Sequence, residues 1–173
     1  MDEDAALRTD ILAAAVLRGT FTLHSGKTSS YYVDKYRFQA RPELLRRVAA
    51  RLADLVAPGT QRLAGVELGA VPLVTAVALE TGIPFVIVRK GAKAYATANL
   101  IEGEPLEGHT VTLVEDVCTT GKAAIEAADK LRLAGGRVLR IAIVLDRGGG
   151  VDLVRAEGYE AEALFTLTPG ELE

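Results

Sequence analysis

V-T-L-V-E-D-V-C-T-T-G-K, residues 111 to 122, joins an apolar run to a helical pattern through two acids and a hydroxyl-rich turn. The β-branched run Val111–Val114 predicts a strand that stops at Glu115 and Asp116, and a helical pattern begins after Gly121. Backbone N–H groups at a helix N-terminus suit phosphate, whereas paired carboxylates need hydroxyls or a metal as partners. A sugar phosphate meets both demands, with its phosphate on the turn and its hydroxyls on the acids.

Two other interpretations of this stretch need to be weighed. The Gly-Lys ending resembles a nucleotide P-loop, but Asp116 stands where that motif needs a glycine, and Ala123 replaces its magnesium-binding hydroxyl. The second alternative is a solvated strand end, with Thr119 or Thr120 capping the following helix. The length of the pattern favours the sugar-phosphate cradle.

Short apolar runs alternate with helical segments outward from this stretch. Such alternation predicts a doubly wound α/β fold: a mainly parallel, five-stranded sheet with helices on both faces. Ligands of these sheets bind outside the carboxyl ends of the strands. The expected strands are 63–68, 85–88, 111–114, 138–145 and 163–167, and the expected helices are 71–81, 121–134 and 151–157.

The N-terminal part has a different pattern. Helical periodicity covers Asp4–Leu17 and returns after Pro42. Between these helices, Thr20–Leu23 and Tyr31–Phe38 are expected to be extended and to be joined by a polar turn. We expect residues 1 to about 40 to form a small hood on one domain that spans residues 1–173.

Composition narrows the functional class. The chain has 173 residues, a net charge of −3 and no basic block longer than two residues, so we expect no nucleic-acid partner. The start lacks a signal-peptide core and no apolar run approaches transmembrane length, so we expect a cytoplasmic protein without membrane contact. A single cysteine, Cys118, excludes an internal disulfide and a cysteine-rich zinc site.

The stretch 111–122 resembles the 5-phosphoribosyl-1-pyrophosphate (PRPP) signature of type I phosphoribosyltransferases. The resemblance implies that fold, and it implies that Glu115 and Asp116 hold the two ribose hydroxyls. It also implies a loop around the 5-phosphate, formed by Val117, Cys118, Thr119, Thr120, Gly121 and Lys122.

Two further segments resemble orotate phosphoribosyltransferases. Phe21–Asp34 is similar to their N-terminal signature, and Val144–Gly150 places an arginine at a strand end. The resemblance implies a base site in which Arg147 pairs with the orotate carboxylate. Its other implied members are Lys27, Tyr31, Tyr32 and Thr119. The alternatives are core packing for the two tyrosines and an ion pair between Asp146 and Arg147.

Gly65–Leu73 resembles the pyrophosphate loop of the same family. The resemblance implies diphosphate contacts from Glu67, Leu68 and Gly69, and a non-proline cis peptide at Leu68–Gly69. Small residues there let the backbone approach an anion, and Pro72 starts the next helix. The alternative is an ordinary tight turn between a strand and a helix.

The segment 88–95 opens a long polar stretch that resembles the family's mobile catalytic loop, or lid, over about residues 90–104. The resemblance implies diphosphate contacts from Arg89, Lys90, Lys93 and Tyr95. Tyr95 departs from the histidine common in the family, and a tyrosine carries no positive charge near neutral pH. The alternative is a run of solvated surface cations.

Together these resemblances imply transfer of the phosphoribosyl group from PRPP to orotate, with Lys93, Arg89 and Asp116 in catalytic roles. They also imply Mg²⁺, carried by the diphosphate and hydroxyls of PRPP without a certain direct protein ligand, and a homodimer whose lid acts in trans. The alternatives are a phosphoribosyltransferase for another base and a PRPP-binding regulator without catalysis.

Overall fold

Near-continuous apolar strands build a six-stranded sheet, flanked by a two-stranded hairpin. The computed structural model describes residues 3–22, 26, 28–91 and 100–172. In chain order the elements are α1 (Glu3–Ala15), β1 (Val16–Thr22), β2 (Thr28–Val33), α2 (Lys35–Gln39), α3 (Pro42–Asp54), β3 (Arg62–Val66), α4 (Val71–Thr81), β4 (Phe85–Val88), β5 (Ile101–Gly103), β6 (Thr110–Cys118), α5 (Lys122–Leu133), β7 (Arg137–Arg147), α6 (Gly150–Ala156), β8 (Ala161–Leu167) and α7 (Pro169–Leu172).

The large sheet has the strand order β5-β4-β3-β6-β7-β8. Five of its strands are parallel, as the sequence predicts, and β5 adds an antiparallel edge beside β4. The sixth strand was not expected, because Ile101–Gly103 is too short to show a periodic pattern and falls within the segment predicted as a lid.

Helices cover both faces of this sheet, which explains why its strands are apolar on both sides. On one face Leu63 and Val114 pack against α1, α3 and α4, with Ile11 fully buried among them. On the other face Ala64 and Leu113 pack against α5 and α6. Each large apolar side chain buried in this way contributes about 1.5–3 kcal/mol. Because Ile11 lies in the same cluster as the strand residues, α1 belongs to the main core.

Strand β6 runs further than the sequence predicts. It continues through Glu115 and Asp116 to Cys118, because its backbone keeps pairing with β7 in parallel register. The prediction that the strand stops at the acids was therefore wrong, since a backbone ladder does not depend on side-chain polarity. Both carboxyl groups are consequently buried inside the sheet.

Two expectations for the N-terminal part were also wrong. α1 ends at Ala15, two residues early, because Val16 and Leu17 pair with Val33 and Tyr32 in the hairpin. The extended piece expected to reach Phe38 ends at Val33. There Asp34 accepts a hydrogen bond from the backbone N–H of Tyr36 and caps α2.

Candidate active site

The candidate site lies at the point in the sheet where the order of successive strands reverses, between β3 and β6. β3 connects through α4 to β4 on one side, and its other neighbour β6 connects through α5 to β7 on the opposite side. A crevice therefore opens at the carboxyl ends of β3 and β6, the usual ligand site of such sheets. The segment Glu67–Gly69 follows β3, and Thr119–Gly121 follows β6.

The two acids at this edge are almost fully enclosed. Asp116 is 1 % exposed, and Lys35 Nζ lies 2.7 Å from its Oδ2. Asp116 Oδ1 accepts a hydrogen bond of 2.6 Å from the backbone N–H of Val117. Glu115 Oε1 accepts one from the backbone N–H of Asp116, while its Oε2 has no hydrogen-bond partner among the described residues. A buried oxygen without a partner is available to a ligand hydroxyl.

The surroundings of Glu115 keep this acid from being fully ionised near neutral pH. Burial, followed by the charge of Asp116, raises the pKa of Glu115 to about 8. Burial also acts to lower the pKa of Lys35, but its contact with Asp116 and the charges of both acids outweigh this and raise it above the usual value. Near neutral pH the cluster therefore holds a charged Lys35 beside a Glu115 that is largely protonated.

The phosphate loop forms a small cavity of about 160 Å³ beside the acids, lined by Glu115 and residues 117–124. Its glycine, Gly121, has φ +72 and caps α5, and an added Cβ would lie 2.8 Å from Val154. No side chain caps this helix, so the alternative in which a threonine caps it is wrong. Thr119 and Thr120 are exposed at the mouth of the loop.

Cys118 lies behind this loop and is buried. Burial raises the pKa of its thiol to about 11, so the thiol stays protonated and is not a nucleophile near neutral pH.

The loop after β3 approaches the acid pair through its backbone. A Cβ at Gly69 would collide with the Asp116 carboxylate and lie 2.5 Å from Lys35 Nζ. Leu68 is 65 % exposed. The cis peptide is at Glu67–Leu68, so the prediction of Leu68–Gly69 was wrong by one residue; sequence carries no signal for which bond of such a loop is cis.

Arg89 and Lys90 lie beside this loop, at the end of β4. Glu67 accepts a hydrogen bond of 2.6 Å from the backbone N–H of Lys90 and faces Arg89 Nε at 3.5 Å. Arg89 also faces Glu102 at 3.4 Å. Lys130 of α5 donates to the carbonyl oxygens of Arg89 and Lys90, at 2.8 and 3.0 Å. This turn is therefore anchored by the loop after β3, by β5 and by α5.

Arg147 and Tyr31 meet on the other side of the phosphate loop. Cys118 pairs with Asp146 in the β6–β7 ladder, which places Arg147 level with the start of that loop. Its guanidinium lies 5.6 Å from the centre of the Tyr31 ring, and its Nε has no hydrogen-bond partner among the described residues. Asp146 instead accepts a hydrogen bond from the backbone N–H of Val151, so the predicted alternative of an Asp146–Arg147 pair was wrong.

Comparison with known proteins agrees with this geometry. The phosphoribosyl transferase domain family matches residues 37–163. The orotate phosphoribosyltransferase of Halobacterium salinarum is 52 % identical over 157 residues, which cover 90 % of this chain and 89 % of that protein.

This chain belongs to the orotate phosphoribosyltransferase family. The crystal structure of the Mycobacterium tuberculosis orotate phosphoribosyltransferase in complex with Fe(III) dicitrate superposes with a TM-score of 0.86, at 33 % identity and covering 98 % of each chain. The structure of the same enzyme in complex with PRPP gives a TM-score of 0.81, at 31 % identity and the same coverage.

The remaining predicted site residues of this phosphoribosyltransferase fall into two groups. Lys27, Lys93 and Tyr95 lie outside the described residues. Tyr32 is 47 % exposed, and its ring centre lies 5.8 Å from that of Phe21. The Lys122 side chain is 80 % exposed and faces Glu126 at 3.8 Å, so that only its backbone belongs to the loop.

Sequence reasoning missed two lysines that contact residues of the candidate site, Lys35 and Lys130. Lys35 follows the last residue of the N-terminal signature, and the capping role of Asp34 was the available signal that a helix turns it inward. Lys130 lies in a regular helix, and no local pattern distinguishes a lysine that binds carbonyl groups from a solvated one.

The phosphoribosyltransferase assignment implies Mg²⁺. Within the described ranges, no group of three or more His, Cys, Asp or Glu side chains is arranged to hold a metal ion. The acid pair, with its unpartnered Glu115 oxygen, fits hydroxyls of a substrate that carries its own metal. Among the described helices, none is long and apolar enough to cross a lipid bilayer.

Proposed function

We propose that this chain transfers the 5-phosphoribosyl group of PRPP to orotate, giving orotidine 5-phosphate and diphosphate in pyrimidine biosynthesis. The observation that supports orotate as the acceptor is the Arg147–Tyr31 pair beside the phosphate loop. A guanidinium whose Nε has no hydrogen-bond partner among the described residues matches a planar carboxylate, and a tyrosine ring offers a face for a planar base. Uracil and the purine bases carry no carboxylate and do not need this arginine.

PRPP fits the crevice in one direction. The 5-phosphate occupies the cavity formed by Val117–Lys122, and the ribose hydroxyls face Glu115 and Asp116. The diphosphate then lies toward Gly69 and the turn at Arg89 and Lys90. This direction is supported by the contact of Gly69 with Asp116, since it joins the loop predicted for the diphosphate to the acids predicted for the ribose.

The reaction requires no protein nucleophile. Orotate N1 attacks the anomeric carbon of the ribose, whose bond to the diphosphate oxygen breaks, and the diphosphate leaves with the bonding electrons. The proton of orotate N1 passes to the departing diphosphate. Arg89, Lys90 and Lys93 stabilise the negative charge that grows on the leaving group. Mg²⁺ bound to PRPP supplies further positive charge there. Closure of the lid excludes water, which otherwise hydrolyses PRPP.

The dimer and the location of the protein remain predictions. We propose that the chain works as a homodimer in which Lys93 and Tyr95 of each lid act in the partner's site, and that it works in the cytoplasm. The anchored turn at Arg89 and Lys90 supports a fixed starting point for such a lid.

The deciding experiment is an absorbance assay of orotate consumption with PRPP and Mg²⁺, run beside adenine, hypoxanthine and uracil. We expect turnover of orotate alone. Arg147→Ala should weaken orotate binding while PRPP affinity stays within about twofold, because one charge-assisted contact is worth about 1.5–3 kcal/mol. The matched control is Arg137→Ala, an exposed arginine at the opposite end of the same strand.

Two outcomes contradict this proposal. The first is folded wild-type protein that turns over another base and leaves orotate unchanged. The second is equal loss of orotate and PRPP affinity in Arg147→Ala, which would place the arginine outside the base site.

A further inference from the structure

Lys35 reaches from the first residue of α2 into the edge of the main sheet. Its ammonium lies 2.7 Å from Asp116 Oδ2, and the side chain of Asp116 is 1 % exposed whereas that of Lys35 is 33 % exposed. A carboxylate buried this deeply needs a partner of opposite charge. In the part of the chain that the structure describes, this is the only ion pair of Asp116.

Gly69 provides the space for this ion pair. A Cβ at that position would collide with the carboxylate of Asp116 and lie 2.5 Å from the ammonium of Lys35. Three elements therefore meet at one ammonium group: the loop after β3, strand β6 and the start of α2. That point lies between the groups expected to face the ribose hydroxyls and those expected to face the diphosphate.

Charge explains why a lysine is needed there. PRPP is a polyanion, and a buried carboxylate at Asp116 without a cation beside it would repel PRPP. The groups that face the Lys35 ammonium are Asp116 and Glu115 of β6 and the ring of Tyr36, at 5.7 Å from the ring centre. Lys35 is therefore the cation that offsets the charge of Asp116 in this cluster.

We propose that Lys35 is a positioning residue for PRPP that acts through Asp116. It cancels the charge of that carboxylate and fixes its orientation toward the ribose hydroxyls. The inference rests on the proposed function for the identity of the ligand, but it concerns PRPP alone and is independent of which base accepts the ribose.

The test is calorimetric titration of full-length protein with PRPP and Mg²⁺ in the absence of any base. We expect Lys35→Met to weaken PRPP binding about tenfold or more, since an ion pair of this kind couples by about 1.4 kcal/mol or more. Lys35→Arg should restore most of the affinity. Arg37→Met, which removes an exposed cation of the same helix, is the control and should bind as wild type.

A double-mutant cycle with Asp116→Asn separates this role from direct contact with PRPP. In a protein that already carries Asp116→Asn, the further change Lys35→Met should alter PRPP affinity by less than about twofold. Asp116→Ala takes the place of Asp116→Asn if circular dichroism shows that the latter is unfolded.

Three outcomes overturn the inference. Lys35→Met could bind PRPP as tightly as wild type, Lys35→Arg could fail to restore affinity, or the loss could persist undiminished in the Asp116→Asn protein. Wild type that binds no PRPP contradicts both this inference and the proposed function. Wild type that binds PRPP without consuming orotate contradicts the proposed function alone.

Discussion

At the residue scale, Gly69 shows how a position without a side chain shapes the site. The sequence marks it as a small residue in a loop that approaches an anion. Its backbone in fact lies directly against the Asp116–Lys35 ion pair. The missing side chain therefore makes space for an internal contact as well as for a ligand.

Gly69→Ala should weaken PRPP binding by about one to two orders of magnitude, because relieving an overpacked contact costs about 1–3 kcal/mol. The loss should appear both in PRPP affinity by calorimetry and as a lower melting temperature. Gly170→Ala is the matched control, since an added Cβ there meets nothing within 4 Å. Wild-type affinity in Gly69→Ala would show that the loop moves freely away from the ion pair.

The raised pKa of Glu115 predicts that the stability of the folded protein depends on pH. Its pKa rises from 4.5 to about 8 because the site is buried and beside Asp116, so the folded protein favours the protonated form. The resulting stabilisation is complete below pH 4.5 and is lost as the pH rises through about 8. Glu115→Gln keeps a neutral side chain at every pH, and it should therefore become more stable than wild type as the pH rises.

The measurement is thermal unfolding of both proteins between about pH 5 and pH 9.5, which spans the titration of this group. We expect nearly equal melting temperatures near the acidic end, an advantage for Glu115→Gln that grows as the pH rises to about 8, and no further growth above that pH. Glu157→Gln, at an exposed helix end, should show no such trend. A constant difference at all pH values would mean that Glu115 is ionised throughout.

At the element scale, the turn after β4 depends on a neighbouring helix. Lys130 of α5 binds two successive carbonyl oxygens there, and Glu67 binds the N–H between them. These contacts hold Arg89 and Lys90 beside the loop after β3. A helix packed against the sheet thus fixes the base of the predicted lid.

Lys130→Met should lower orotate turnover about tenfold or more, because two carbonyl groups lose a charged donor worth about 1.5–3 kcal/mol in hydrogen bonding. The melting temperature should change little, since the lysine is only partly buried. Lys130→Arg should recover part of the rate. Unchanged steady-state kinetics in Lys130→Met would show that the turn keeps its place without this anchor.

Short elements were the hardest to predict. α2 has five residues and β5 has three, which is too few to display a period, and tertiary contacts decide both. By contrast, α4 and the four-residue strand β4 have the expected bounds, because each presents a complete apolar pattern between turn residues.

At the scale of the whole molecule, the proposed exchange of lids between subunits can be tested by complementation. Lys93→Ala and Asp116→Asn should each be nearly inactive alone. A mixed dimer contains one site with an intact acid pair and an intact lid from its partner, if the lid acts in trans. Random exchange in a two-fold symmetric dimer should then restore about a quarter of wild-type activity.

The mixture should be equilibrated under conditions that allow subunit exchange, and orotate turnover should then be followed over time. Each variant incubated alone is the control. If the lid acts within its own subunit, a mixed dimer carries one broken site in each subunit, and activity stays at the level of the single variants.

The sequence by itself determined the parallel α/β fold, the PRPP signature and the acceptor class. Each of these depends on local order along the chain: apolar periodicity, or side chains separated by a few residues at a strand end. The ribose acids, the phosphate loop and the arginine at the end of β7 all fall into this group, and their roles stay predictions until they are tested.

The tertiary structure alone decided how these segments touch. It placed Lys35 against Asp116, which is 81 positions further along the chain, and it placed Lys130 beneath a turn about 40 positions earlier. No pattern within one segment indicates such pairs, because they form only when separate elements pack together. The signature thus points to the ligand, while packing supplies the cation that pairs with Asp116.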